Sequence, residues 1–222
     1  MLEAFDPVFL KPTFKNRVAF LLGMKISYTP KRIVFEKKLN ALDHLTLDFA
    51  AVLERLKIKY VVVSGYVSIL FGRSRSSEDV DLIMEKVPPE RFQELWEALS
   101  ERFVCINAGD SNEAYKDYLT TGHAVRFSKP GVLVPNIELK FPKIPPEFEA
   151  LRERKEVLVN KKRLFVSPLE LQIAFKLYLG SEKDIEDAKH LYRLFKGKLD
   201  RRLLDDHNQK LNITHVFRRY LE

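Results

Sequence analysis

Two aspartates one residue apart, Asp79 and Asp81, constrain this chain more than any other feature. They open the run Asp79-Val80-Asp81-Leu82-Ile83, which reads as a strand. Side chains alternate along a strand, so the two carboxylates share one face while Val80 and Leu82 point to the other. Like charges side by side are unfavourable unless something positive sits between them. A hard divalent cation meets that need, since magnesium takes one or two carboxylates together with phosphate oxygens and water. Upstream, the apolar run Tyr60 to Val63 reads as a buried strand that meets Ser64-Gly65, where a missing Cβ permits a tight turn. Tyr66 to Phe71 then suits a short helix closed by Gly72. The start of that helix would offer N–H groups and a positive dipole end to phosphates. An Asp-x-Asp alone is also what a solvated strand edge or turn supplies.

Composition narrows the classes without choosing among them. With 222 residues the chain has room for one sizeable domain or two small ones. A formal net charge of +7 favours a polyanionic partner if the charges cluster. Cys105 is the single cysteine, which excludes an internal disulfide and suits a reducing, cytoplasmic setting. No apolar run approaches the ~20 residues that span a bilayer, and the first residues lack the apolar core of a secretory signal.

Residues 1–40 carry Pro7, Pro12 and Pro30 and many lysines and arginines with few acids, an extension that either touches RNA phosphates or is solvated and packed by Phe5, Phe9, Phe14 and Phe20; Met24 is a possible internal start. Leu42, Leu45, Phe49, Val52, Leu53 and Leu56 have the three-and-four spacing of an amphipathic helix. A second helix follows Pro88-Pro89, with Phe92, Leu95, Trp96 and Leu99 inward. Phe103 to Ile106 reads as an edge strand, and Asn107 to Thr121 as a substrate-facing loop or short helix. His123 to Phe127 and Val132 to Phe141 form a strand pair about Lys129-Pro130-Gly131. On the second of these Asn136, Glu138 and Lys140 share a face, as outward residues of any alternating strand would. Pro142 to Arg154 reads as a connection, and a hairpin turns at Asn160-Lys161. Ser167-Pro168-Leu169-Glu170 has the form of a capping box, opening a helix that stops at Gly180; another runs from about Glu182 to Phe195.

The strand, Ser64-Gly65, short helix and Asp79-Val80-Asp81 together resemble the nucleotidyltransferase superfamily with the polymerase-beta-like fold. The order Gly72, Arg75, Ser77, Asp79, Asp81 and Leu82 is most similar to the AbiEii-type toxin branch. Lys176 on one helix with Lys183, Asp184 and Asp187 opening the next extends that resemblance. The family's usual glycine pair is Ser-Gly here, and its arginine before the later helix is replaced by Ser181-Glu182-Lys183.

The resemblance implies an α+β fold: a mixed sheet flanked by helices over residues 41–166, after an extension at 1–40 and before a helical segment at 167–222. It implies Asp79, Asp81 and Glu138 as ligands of Mg2+, with two ions or Mn2+ in its place also fitting, and Asp184 as a catalytic or orienting carboxylate. Ser64, Gly65, Arg75, Ser77 and Lys176 would hold the nucleotide. The expected activity is transfer of a nucleoside monophosphate from a nucleoside triphosphate to an acceptor hydroxyl, on an RNA or tRNA 3′ end, a protein or a small molecule, within a toxin–antitoxin pair in the AbiEii-like case. The alternative is a catalytically silent module of the same fold that binds RNA or a partner protein.

Overall fold

A computed structural model describes residues 25–222. The expected contacts of Phe5, Phe9, Phe14 and Phe20, the basic arm as far as residue 24 and the possible start at Met24 lie outside the described residues. The chain runs β1 (Ser27–Tyr28), β2 (Arg32–Phe35), α1 (Ala41–Arg55), β3 (Tyr60–Val62), α2 (Gly65–Leu70), β4 (Asp79–Met84), α3 (Pro89–Ser100), β5 (Val104–Cys105), β6 (Val125–Ser128) and β7 (Asn136–Lys140). It continues through α4 (Pro145–Arg152), β8 (Lys155–Val159), β9 (Lys162–Val166), α5 (Leu169–Leu179), α6 (Glu182–Phe195), α7 (Arg201–Lys210) and α8 (Thr214–Leu221). The strands form one mixed sheet in the order β1-β2-β8-β9-β3-β4-β7-β6-β5.

One face of the sheet is sealed. Tyr60, Val62, Val80, Leu82, Ile137, Leu139, Val125 and Phe127 are all buried there with Phe49 and Leu53 of α1 and Phe92, Leu95 and Leu99 of α3. Burying one such side chain stabilises by about 1.5–3 kcal/mol, which ties the alternation of β4 to a single register. The opposite face is covered only in part. Val61 and Ile83 pack on Ala150 and Leu151 of α4 and Leu171 of α5, which leaves the rows of Asp79 and Asp81 beyond the apolar patch.

Several local features follow the expectations and several correct them. Helix α2 ends in a Schellman arrangement: Gly72 has φ +91, its N–H donates to the Ile69 carbonyl, and the Arg73 N–H donates to that of Ser68. Asn160 and Lys161 both have positive φ at the β8–β9 turn, and Gly180 is left-handed at the end of α5. The extension read as ending at residue 40 is already sheet from Ser27, because β2 pairs in parallel with β8 and buries Ile33 and Phe35. The Pro142 to Arg154 connection contains α4, with Pro145 and Pro146 in the first turn where no N–H is needed. The expected box at Ser167 does not form: the Ser167 N–H joins the sheet at the Val62 carbonyl, and the buried Glu170 carboxylate instead accepts from the Asp200 N–H at 2.9 Å. Residues of the stretch expected to face substrate are helical over Ser111–Glu113 and Ala114–Leu119, and Tyr115 packs on Phe92 and Phe141 of the sealed core. Among the described residues no helix is long and apolar enough to cross a membrane.

Candidate active site

Strand β4 delivers the acidic pair. Asp79 and Asp81 are each partly buried while Val80 and Leu82 are fully buried, as period-two alternation requires. The parallel strand β7 lies alongside in register, with Asp79 opposite Asn136 and Asp81 opposite Glu138. Burial pushes the Asp81 carboxyl above its ordinary range, a hydrogen bond from the Ser64 side chain pulls it back, and the charges of Asp79 and Glu138 push it up again. This crowding of anions is the physical signature of a place that favours a cation. Among the described residues, however, no three His, Cys, Asp or Glu side chains close on a common point. Glu138 is instead ion-paired with Arg126, the residue opposite it on β6, at 2.6 Å. The arrangement therefore fits an ion held by Asp79 and Asp81 with its remaining positions open to substrate oxygens and water, a set magnesium accepts. It does not present a preformed three-carboxylate cage.

Facing the acids is a charged cluster in which Arg73 and Arg75, from the arm between α2 and β4, meet Lys176 of α5 on a carboxylate of α6. Asp187 of α6 is fully buried and takes ion pairs from three side chains: Arg73, Arg75 at 2.9 Å and Lys176 of α5 at 3.1 Å. Lys176, itself buried, also donates to Asp184 at 2.5 Å. Burial opposes ionisation of Asp184, yet hydrogen bonds from Lys176 and Ser181 outweigh it and hold the carboxyl below its ordinary range. Arg75 reaches Ser77 at 3.5 Å, and Ser77 reaches Asp79 at 3.4 Å, so a polar path runs from α6 to β4.

The turn between β3 and α2 sits between the two charge groups. A Cβ on Gly65 would lie 2.3 Å from Nη2 of Arg75, so the glycine is required for the guanidinium to cross the turn. Ser64 has φ +61 and ψ −141, a conformation suited to glycine and strained for a residue with a β-carbon. Gln172 of α5 holds both its backbone polar groups, donating from Nε2 to the Ser64 carbonyl at 2.7 Å and accepting the Ser64 N–H at 3.3 Å. Beside the turn opens a cleft of about 130 Å³, with Ser64, Asp81, Gln172 and Lys176 toward the charged end and Val63, Ile83, Ala150, Leu171 and Phe175 along its apolar wall. Lys140 and Glu147, paired at 2.7 Å, bound it on the side of α4.

The fold thus gathers Ser64, Gly65, Arg75, Ser77, Asp79, Asp81, Lys176 and Asp184 at one end of the sheet, with Glu138 adjacent. Lys183 is not part of the group, since it is exposed and contributes only a carbonyl, to Arg73. Three participants were not singled out from sequence. Arg73 and Arg126 look like solvated charges until their partners are known, whereas Gln172 leaves a signal as a polar residue four before Lys176 on an apolar helix.

No family model matches the chain, and no curated protein matches it. Solved structures do. An antigenic nucleotidyltransferase-like protein from Paracoccidioides brasiliensis is similar at TM-score 0.52 and 19% identity, over 80% of this chain and 90% of that one. The lincosamide antibiotic adenylyltransferase LnuA, in a lincomycin-bound crystal structure, is similar at TM-score 0.47 and 12% identity, over 71% of this chain and 99% of its own. The antibiotic-resistance factor ANT(2'')-Ia is similar at TM-score 0.47 and 11% identity, over 81% and 99%. The first of these likenesses, with the mixed sheet and its flanking helices, shows that the chain has a nucleotidyltransferase-like α+β fold.

Proposed function

We propose that this chain is a magnesium-dependent nucleotidyltransferase that moves a nucleoside monophosphate from a nucleoside triphosphate to an acceptor hydroxyl. The observation that carries the reading is the opposition, across one turn and one cleft, of the Asp79–Asp81 face and the Lys176–Arg75 cluster. A triphosphate is the ligand that needs both at once: cations for its oxygens and acids for the cation it brings. Asp79 and Asp81 would hold magnesium, which supplies charge neutralisation at the triphosphate and acidifies a bound hydroxyl. Lys176 and Arg75 would steady the β- and γ-phosphates, and the apolar wall of the cleft would take the nucleoside. The acceptor oxygen attacks the α-phosphorus in line, the bond to the β-phosphate oxygen breaks, pyrophosphate leaves, and the acceptor proton passes to water.

The fold does not name the acceptor. An RNA 3′ end, tRNA above all, is the acceptor we favour, from the net charge of +7 and the AbiEii-like placing of Lys176, Asp184 and Asp187; a toxin–antitoxin role rests on that same pattern. The second reading, a silent binding module, draws on one observation: Glu138 is engaged by Arg126 instead of closing with the aspartates. Incubation of the full chain with each labelled nucleoside triphosphate, magnesium and total RNA or cell extract separates the two. Label should enter one species with the unsubstituted chain and none with Asp79→Asn, whose melting temperature stays near that of the parent. Transfer undiminished by Asp79→Asn would reject the assignment, and no transfer to any species would favour the silent module.

A further inference from the structure

The backbone of Ser64 is the one point of the site held in a conformation its residue type resists. Such a conformation persists only where surrounding contacts over-determine it. Those contacts are specific here. Among the described residues the Ser64 N–H and carbonyl have no other hydrogen-bond partner, and one carboxamide, that of Gln172, serves both. Gln172 is 5% exposed and sits one turn before Lys176 on the same helix face. Its position is therefore tied to the residue that anchors the cationic cluster, while its amide grips the turn that faces the acidic strand.

We infer that Gln172 is a positioning residue: by clamping both backbone polar groups of Ser64 it fixes the strained Ser64-Gly65 turn and sets the distance between the cationic helix and the acidic strand. The functional consequence rests on the nucleotidyl-transfer reading; the clamp itself does not. A residue that merely satisfied a buried backbone would contribute equally whatever stood at position 64. When a clamp on a strained turn is deleted, the turn relaxes and recovers its strain, which offsets part of the loss; with glycine at position 64 there is no strain to recover and the loss is larger.

The test is an unfolding cycle on the full chain with Gln172→Met, Ser64→Gly and the double variant. Methionine preserves length and apolar packing while deleting both hydrogen bonds. The clamp predicts that Gln172→Met lowers the denaturation midpoint in both backgrounds, and by clearly more in the Ser64→Gly background, where release of the turn recovers no strain. Equal losses in both backgrounds would overturn it. In the transfer assay, Gln172→Met should lower kcat about 10- to 100-fold, with KM for the nucleoside triphosphate changed by less than about 3-fold, and Ser64→Gly should restore part of kcat. A loss confined to KM would also overturn the positioning role. Should the parent show no transfer at all, the coupled midpoints would still establish the clamp, and only the nucleotidyl-transfer reading would fall.

Discussion

Replacing Asp187 by asparagine changes one atom in shape and removes the full charge that Arg73, Arg75 and Lys176 share. The carboxylate is completely buried, and the side chain of Lys176 is 4% exposed, so neither is rescued by solvent in place. Removing one partner from a buried ion pair costs about 3–5 kcal/mol, because an uncompensated charge is left behind. Two features of this site pull the cost toward the lower end. Asp184 remains bonded to Lys176 at 2.5 Å, and the side chains of Arg73 and Arg75 are 18% and 16% exposed, enough to turn partly toward water. About 3 kcal/mol is the result, and at about 2–4 °C per kcal/mol for a chain of this size the melting temperature should fall by roughly 6–12 °C. Thermal unfolding followed by circular dichroism measures it, with Asp184→Asn as the milder comparison because that side chain neutralises Lys176 alone and lies nearer solvent. An Asp187→Asn protein melting within about 2 °C of the parent would refute the idea that this carboxylate holds the cluster together.

Other consequences are as direct. Asp81 is protonated more readily in the folded chain than in the unfolded one, so between the ordinary value of 3.8 and its raised value the native state binds more protons, and stability falls as pH rises through that window. Asp81→Asn escapes this cost: its melting temperature relative to the parent, without divalent cations, should improve from about pH 4 to about pH 7, and a flat difference would contradict the crowding described here. Added magnesium should stabilise the parent and leave Asp81→Asn unmoved, read by the same melts. Gly65→Ala places a methyl 2.3 Å from an Arg75 terminus that Asp187 tethers, so it should cost about 1–3 kcal/mol in urea unfolding, and pairing it with Arg75→Ala should return most of that loss.

The parts of the site that are local in sequence were readable there, and the parts that depend on distant partners were not. Strand β4 announces itself by alternation, α2 by the glycines that bracket it, and α5 and α6 by Gly180 and their apolar periodicity, since each signal is contained within one element. The parallel pairing of β2 with β8 joins residues more than a hundred positions apart, and nothing in Arg32 to Phe35 says which strand it will meet. Asp187 and Arg73 are likewise ordinary charges until α6 packs on the end of α2, where Phe195 meets Phe71 at 5.0 Å and His190 bonds the Phe71 carbonyl at 3.0 Å. The failed capping box at Ser167 has the same origin. Its local pattern was correct, but the Val62 carbonyl and the Asp200 N–H offered those groups other partners, and the tertiary contacts prevailed.

The substitution of Ser-Gly for a glycine pair also has a physical reading. The two positions of the turn ask for glycine on different grounds: position 64 for its torsion angles, position 65 for the space that Arg75 occupies. A torsional demand can be met by a side-chain-bearing residue if hydrogen bonds hold the backbone in place, at a strain of about 1–3 kcal/mol. A steric demand has no such remedy while the arginine is tethered to a buried carboxylate. The chain keeps glycine where the obstacle is volume and departs from it where the obstacle is torsion and Gln172 stands ready to hold the turn. In exchange it gains a hydroxyl beside Asp81, whose charged form burial disfavours and for which a donor in the same cleft is a compensation.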